Sequence, residues 1–132
     1  PVDRRQRQMC IRDSDSGVGV IVGAPFASGI LATGSVGAAH YAYEKPDQSI
    51  IEKVRNIENV CAKHDVSLQA AALQFPMAHP AAVSIIPGAS KPNELLANVA
   101  SVDADISPLF WDELKSKGLI VPDAPVPNGS NK

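Results

Sequence analysis

Apolar positions along the chain change period several times, and those changes predict its elements. Residues 18–23, Val-Gly-Val-Ile-Val-Gly, are short, β-branched and apolar on both faces, the texture of a buried parallel strand. They end in a run of small residues, 24–34, at the carboxyl end of that strand. Ser49-Ile50-Ile51-Glu52 has the form of a capping box, and Ile50, Ile51, Val54, Ile57 and Cys61 then recur on one face at helical spacing. This predicts a helix over residues 49–64 whose apolar stripe is core. Ser67 stands where it can cap a second helix, in which Leu68, Ala71, Ala72 and Phe75 share a face until Pro76 kinks or ends it. Val83-Ser84-Ile85-Ile86 reads as a second buried strand. It passes through Pro87-Gly88 into a third helix that opens on Ser90, Lys91 and Pro92 and buries Leu95, Leu96 and Val99. Ser107-Pro108 opens a fourth helix through Phe110, Trp111 and Leu114, closed near Gly118, and residues 121–132 carry the Pro, Gly and Asn content of a frayed tail.

The order strand, loop, helices, strand, loop, helix and appended helix is that of successive βα units in an α/β protein. It predicts an incomplete (βα)8 TIM barrel made of the last two βα units and a C-terminal helix. A closed barrel takes about 250 residues, and two parallel strands leave sheet edges unpaired, so the chain by itself is expected to be poorly stable.

Composition narrows the function classes. With 132 residues, 45% apolar content and a net charge of −2, the chain has the balance of a soluble globular domain. No basic face points to nucleic acid. No apolar run approaches the roughly 18 residues of a membrane helix, so no membrane is expected and a cytoplasmic location is the default. Cys10 and Cys61, with His40, His64 and His79, form no metal-ligand spacing and no disulfide framework. Cys61 reads as a small core residue. Residues 1–14, which gather Arg4, Arg5, Arg7 and Arg12, lack any period, differ in texture from the chain beyond them and resemble translated adapter sequence, which places the start of the native sequence near residue 15; the other reading is a disordered basic tail. The domain reading is therefore 1–14 non-native tail, 15–120 barrel part and 121–132 disordered tail.

Two loops carry candidate chemistry. Gly88 lets a ligand approach the backbone, and the helix after it offers unpaired amides and the positive end of its dipole, an arrangement suited to an anion such as a nucleotide phosphate. The other reading is a plain strand-to-helix connection with Ser90 as a cap. Residues 90, 94 and 98 recur every four positions and so share one helix face, where the plain reading of Asn98 is a solvated surface amide. The long connection after the first strand, with His40, Tyr41, Tyr43 and Pro46, suits a lid or substrate contacts, against the alternative of plain exposed loop residues.

Three segments together resemble the aldo-keto reductases: Ala24-Pro25-Phe26-Ala27-Ser28-Gly29-Ile30-Leu31, Ala70-Ala71-Ala72-Leu73-Gln74-Phe75, and Ile86-Pro87-Gly88-Ala89-Ser90 through Asn98. The wording Gly-Ala-Pro-Phe-Ala-Ser-Gly-Ile-Leu-Ala-Thr-Gly and Cys61-Ala62-Lys63-His64-Asp65-Val66 is similar to that of sugar and pyridoxal dehydrogenases of the family. The resemblance implies a nicotinamide cofactor, NAD or NADP, and a small sugar or aldehyde substrate. It implies that Ala24, Pro25, Phe26, Ala27 and Ser28 line the pyrophosphate, and that Gly88, Ser90, Glu94 and Asn98 sit at the adenosine end. Two positions depart from the family pattern. Gly23 replaces an aromatic that stacks on nicotinamide, and Glu94 replaces a basic or amide residue that serves a 2′-phosphate. Glu94 would repel that phosphate and accept from a ribose 2′-hydroxyl, which favours NAD, although Lys91 lies near enough to pair with a phosphate. The tyrosine, lysine, aspartate and histidine of the family's chemistry come from earlier strands that are not in this sequence, so no catalytic residue is expected here and the chain alone is expected to be inactive. A non-catalytic nicotinamide-binding regulatory relative and an inactive truncated reading frame are the alternatives.

Overall fold

The computed structural model describes residues 15–37 and 44–128. The expectations placed on residues 1–14 and on His40, Tyr41 and Tyr43 lie outside the described residues. The elements are β1 (Val20–Gly23), a 3-10 turn (Ala27–Gly29), α1 (Ile30–Thr33), α2 (Gln48–His64), α3 (Leu68–Met77), β2 (Ala82–Ile86), α4 (Pro92–Val102) and α5 (Pro108–Ser116). The chain is thus α/β with a small sheet, in which β1 and β2 pair in parallel with Val22 opposite Ile85 and Gly23 opposite Ile86.

Local chemistry explains the helix ends. Helix α2 starts one residue before the expected capping box, because Asp47 takes the N-cap and accepts from the Ile50 amide at 2.9 Å, while the Ser49 hydroxyl donates to the same carboxylate at 2.6 Å. Those two donors hold the Asp47 carboxyl below its ordinary range, Ser49 contributing most. Ser67 caps α3 by accepting from Ala70 at 3.0 Å, and Pro76 falls one residue before its end. Ser107 caps α5, and Gly118 at φ 66° turns the chain out of it.

The main core is a helical layer. Val60, Cys61, Ala70, Ala71, Ile106, Phe110, Trp111, Leu114 and Leu119 form one buried cluster drawn chiefly from α2, α3 and α5. Trp111 is T-shaped on Phe110 at 4.9 Å and stacked with Phe75 at 6.1 Å. Cys61 lies in this cluster as expected, and burial, then the nearby Glu58 charge, pushes its thiol up to about 11, so it is held as a thiol. Part of the segment expected to fray is laid on the same core: Ala124 is buried, and Val126 packs against the cluster. Its small and branched apolar side chains outweigh the Pro and Gly content around them.

Two burial expectations are corrected. Neither strand is buried on both faces; Ile21, Val83 and Ile86 are exposed, the packing of the two-stranded sheet coming chiefly from α3 against β2. Leu95, Leu96 and Val99 of α4 are also exposed. That helix turns Asn98 and Ser101 inward instead, and Gln74 of α3 holds its end by donating to the carbonyls of Ser101 at 3.0 Å and Ala104 at 2.7 Å. A side-chain amide bonded to carbonyls fixes a face that apolar spacing alone does not.

Helices α2 and α5 are joined by Glu113, which meets Lys63 at 2.8 Å, His64 Nε2 at 2.7 Å and Lys117 at 3.1 Å. Hydrogen bonds from Lys63, then His64 and Lys117, bring its carboxyl from 4.5 down to about 2. A depressed folded-state value stabilises the fold above the unfolded value and withdraws that contribution as pH falls through the folded one. The urea midpoint is therefore expected to fall between pH 4.5 and about 2, and Glu113→Gln to flatten that part of the profile; an unchanged slope in the variant refutes the assignment.

Candidate functional site

Because β1 and β2 are parallel, the loops after them leave the sheet at the same edge. Between these loops lies a cleft of about 400 Å³. Six of the residues expected in a site line it: Ala24, Phe26 and Ser28 from the first loop, Gly88 from the second, and Glu94 and Asn98 from the helix α4 that follows it. Pro25, Ala27 and Ser90 do not contribute to its lining. Gly29, Ala32, Thr33 and Gln69 do; the first three fall in the 24–34 run without being expected site residues, and Gln69 falls in no motif. For Gln69 a signal exists, a polar residue between Leu68 and Ala70 in the first turn of an apolar helix.

The first loop is shaped by unusual backbone. Ala24 (φ 50°), Ala27 (φ 49°), Ser28 (φ 62°) and Gly29 (φ 99°) are left-handed, three of them consecutive, while Phe26 before them is right-handed at φ −87° and ψ 8°. The turn is closed by its own backbone, the Ala27 amide donating to the Ala24 carbonyl at 3.0 Å. Left-handed backbone costs about 1–2 kcal/mol for a residue with a Cβ. Buried Phe26 and Ile30 anchor the loop from below, and the Phe26 carbonyl accepts from Gly29 at 3.0 Å and Leu31 at 3.1 Å. Ala27→Gly is expected to raise the urea midpoint, through a stability gain of up to about 1 kcal/mol after the larger unfolded-state entropy of glycine is subtracted. Ala27→Val should lower it, since a β-branched side chain fits a positive φ poorly. A glycine variant less stable than the parent would contradict the strain.

At the second loop the structure revises the expected anion site. Lys91, not Ser90, holds the N-cap position of α4, and Pro92 is its first residue. The Glu94 carboxylate turns back over the end of its own helix, where Oε2 accepts from the Ser90 amide at 2.6 Å and the Lys91 amide at 3.3 Å. The charge expected from a ligand at these two amides is supplied by this chain. Ser90 is exposed, and its amide is engaged by Glu94. Asn98, one turn further on, is 4% exposed; its Nδ2 donates to the Gly88 carbonyl at 3.5 Å, which holds the amide at the cleft wall. A Cβ on Gly88 would meet nothing within 4 Å, so the backbone there faces open space.

A model of the aldo/keto reductase family matches residues 1–118. The chain belongs to the aldo/keto reductase family. Similar members are pyridoxal 4-dehydrogenase of Microbacterium luteolum, 35% identical over 104 residues, and D-threo-aldose 1-dehydrogenase of Pseudomonas sp, 30% identical over 108 residues. These alignments cover 79% and 81% of this chain but only 30% and 33% of those two proteins, so the chain spans about a third of their length. Gly23, the position at which an aldo/keto reductase aromatic was expected, ends β1 exposed, with nothing within 4 Å of an added Cβ.

Proposed function

We propose that the cleft is the phosphate and adenosine half of a nicotinamide cofactor site, in a chain forming the last two βα units of an eight-stranded barrel. The parent activity is hydride transfer between the nicotinamide and a sugar or aldehyde carbon. The observation that carries this reading is the convergence of Ala24, Phe26, Ser28, Gly88, Glu94 and Asn98, from two strand-end segments far apart in sequence, on one cleft at the carboxyl edge of the sheet. The residues present suit the group. Gly29 and Gly88 face open space on the two sides of the cleft and let a pyrophosphate approach the backbone, and the buried Asn98 amide offers donor and acceptor to an adenine edge.

The cofactor supplies the hydride chemistry; the residues of this chain bind and orient. NAD is favoured over NADP. A 2′-phosphate beside Glu94 would meet a carboxylate already seated on the Ser90 and Lys91 amides, whereas a ribose 2′-hydroxyl could donate to that carboxylate. The test is titration of the chain with ADP-ribose and 2′-phospho-ADP-ribose by calorimetry, since these probes need no contact with the nicotinamide end. Saturable binding of ADP-ribose, at least about tenfold tighter than the phosphorylated form, is expected. Absence of ADP-ribose binding refutes the site, and tighter binding of the phosphorylated form refutes the NAD preference.

A further inference from the structure

One wall of the cleft is the short helix α1, through Ala32 and Thr33. A helix of one turn does not hold its own position. Within the loop, Thr33 Oγ1 donates to the Gly29 carbonyl at 3.1 Å and the Gly34 amide donates to the Ile30 carbonyl at 2.9 Å, bonds that close the turn on itself without fixing it to the molecule. Its start is seated by buried Ile30 and by packing on α3, and the attachment at its far end comes from α2. Both oxygens of Glu58 are engaged by Ser35: the Ser35 amide donates to Oε1 at 3.1 Å and the Ser35 hydroxyl donates to Oε2 at 2.5 Å. Ser35 is buried, so this bidentate contact is shielded from competing water. Gly34 is cut to fit it. Its φ is 81°, and a Cβ there would collide with Glu58 Oε1, so left-handed glycine is what lets the chain pass beneath the carboxylate.

We infer that Glu58 is a positioning residue for the cleft: by gripping Ser35 it fixes α1 and the loop carrying Ser28 and Gly29 in the shape that receives the ligand. The inference rests on the cofactor reading of the cleft. Glu58 does not line the cleft, so any effect on binding passes through the loop. The grip spans 23 residues of sequence and ties the ligand loop to a helix that is seated in the interior by Val54 and Cys61, one turn either side of Glu58 on the same face. A loop held in this way retains its binding shape in the free chain, whereas a released loop binds in proportion to the fraction of time it spends in that shape.

The experiment is carried out on the whole chain with Glu58→Ala, Glu58→Gln, Ser35→Ala and the double variant Glu58→Ala with Ser35→Ala. Two readouts are taken: amide hydrogen exchange over residues 28–35 and ADP-ribose affinity by calorimetry. Glu58→Ala is expected to speed exchange in this segment and to weaken ADP-ribose about tenfold, while exchange around Trp111 stays at its parent rate. Glu58→Gln, which keeps one acceptor oxygen, should restore part of both, and the double variant should add little to Glu58→Ala. Unchanged exchange over residues 28–35 in Glu58→Ala overturns the grip. Faster exchange with unaltered ADP-ribose affinity overturns the positioning role. Exchange that rises equally around Trp111 shows general destabilisation and also overturns it. If the parent chain binds no ADP-ribose while Glu58→Ala still loosens the segment selectively, the cofactor reading fails and the grip itself is supported.

Discussion

Trp111→Ala is expected to remove about 3–5 kcal/mol of stability, the usual range for deleting a large buried aromatic. Domains of this size are stable by only about 5–15 kcal/mol in total, so the variant should show a greatly lowered urea midpoint or no folded baseline. The basis is geometric. Trp111 is 1% exposed, packs on Phe110 and Phe75, and sits where α5 closes over α2 and α3, so its loss leaves a void shared by three helices. Trp111→Phe separates volume from hydrogen bonding. The indole Nε1 is buried with no hydrogen-bond partner among the described residues, so phenylalanine loses no bond and removes an unpaired buried donor. Its cost should stay below about 1.5 kcal/mol. Equal losses in the two variants would show that the indole N–H is bonded after all.

Glu94→Ala is expected to change what the cleft accepts. In the parent the carboxylate lies on the Ser90 and Lys91 amides at the positive end of α4. The alanine variant frees both donors and deletes a negative charge in one step. Two unit charges about 4 Å apart interact by about 1 kcal/mol in water and about 4 kcal/mol near a protein surface, and tenfold in affinity is about 1.4 kcal/mol. The preference for ADP-ribose over its 2′-phosphorylated form should therefore fall by about tenfold or more and can reverse. Glu94→Gln keeps an acceptor for the amides without the charge and should give an intermediate preference. The helix loses its cap in the alanine variant, at about 0.5–2 kcal/mol, which the urea midpoint reads independently. An unchanged preference in both variants would remove Glu94 from the account of cofactor choice.

The positions legible in the sequence are those where local rules act alone. The 3.6-residue recurrence through Val54, Ile57 and Cys61, the Ser67 and Ser107 caps and the Gly118 stop all hold, because each depends on neighbours within a turn of helix. The loops after the two strands are legible too, since small residues and Pro-Gly at the ends of apolar runs mark them. Sequence pattern misleads where a side chain has a choice of partner. Ser49 has the spacing of a cap, yet Asp47 is available two residues earlier; Leu95, Leu96 and Val99 have the spacing of a buried stripe, yet the Asn98 face is the one turned inward. Glu94 has the position of a ligand contact, but its nearest donors are the amides of its own helix end.

The sequence by itself determined the order of elements, the apolar identity of the helical core, the loops at the carboxyl ends of the two strands and the resemblance to the aldo/keto reductases. Those properties depend on spacing, turn chemistry and residue type, which are one-dimensional. Tertiary structure alone decided that the two loops meet in one cleft, that Gln69 and Thr33 join its wall, that Glu94 fills the amides at the end of α4, and that Glu58 grips Ser35. Each of these depends on distances between residues separated along the chain or on competition among donors for one carboxylate. Periodicity carries no information about either.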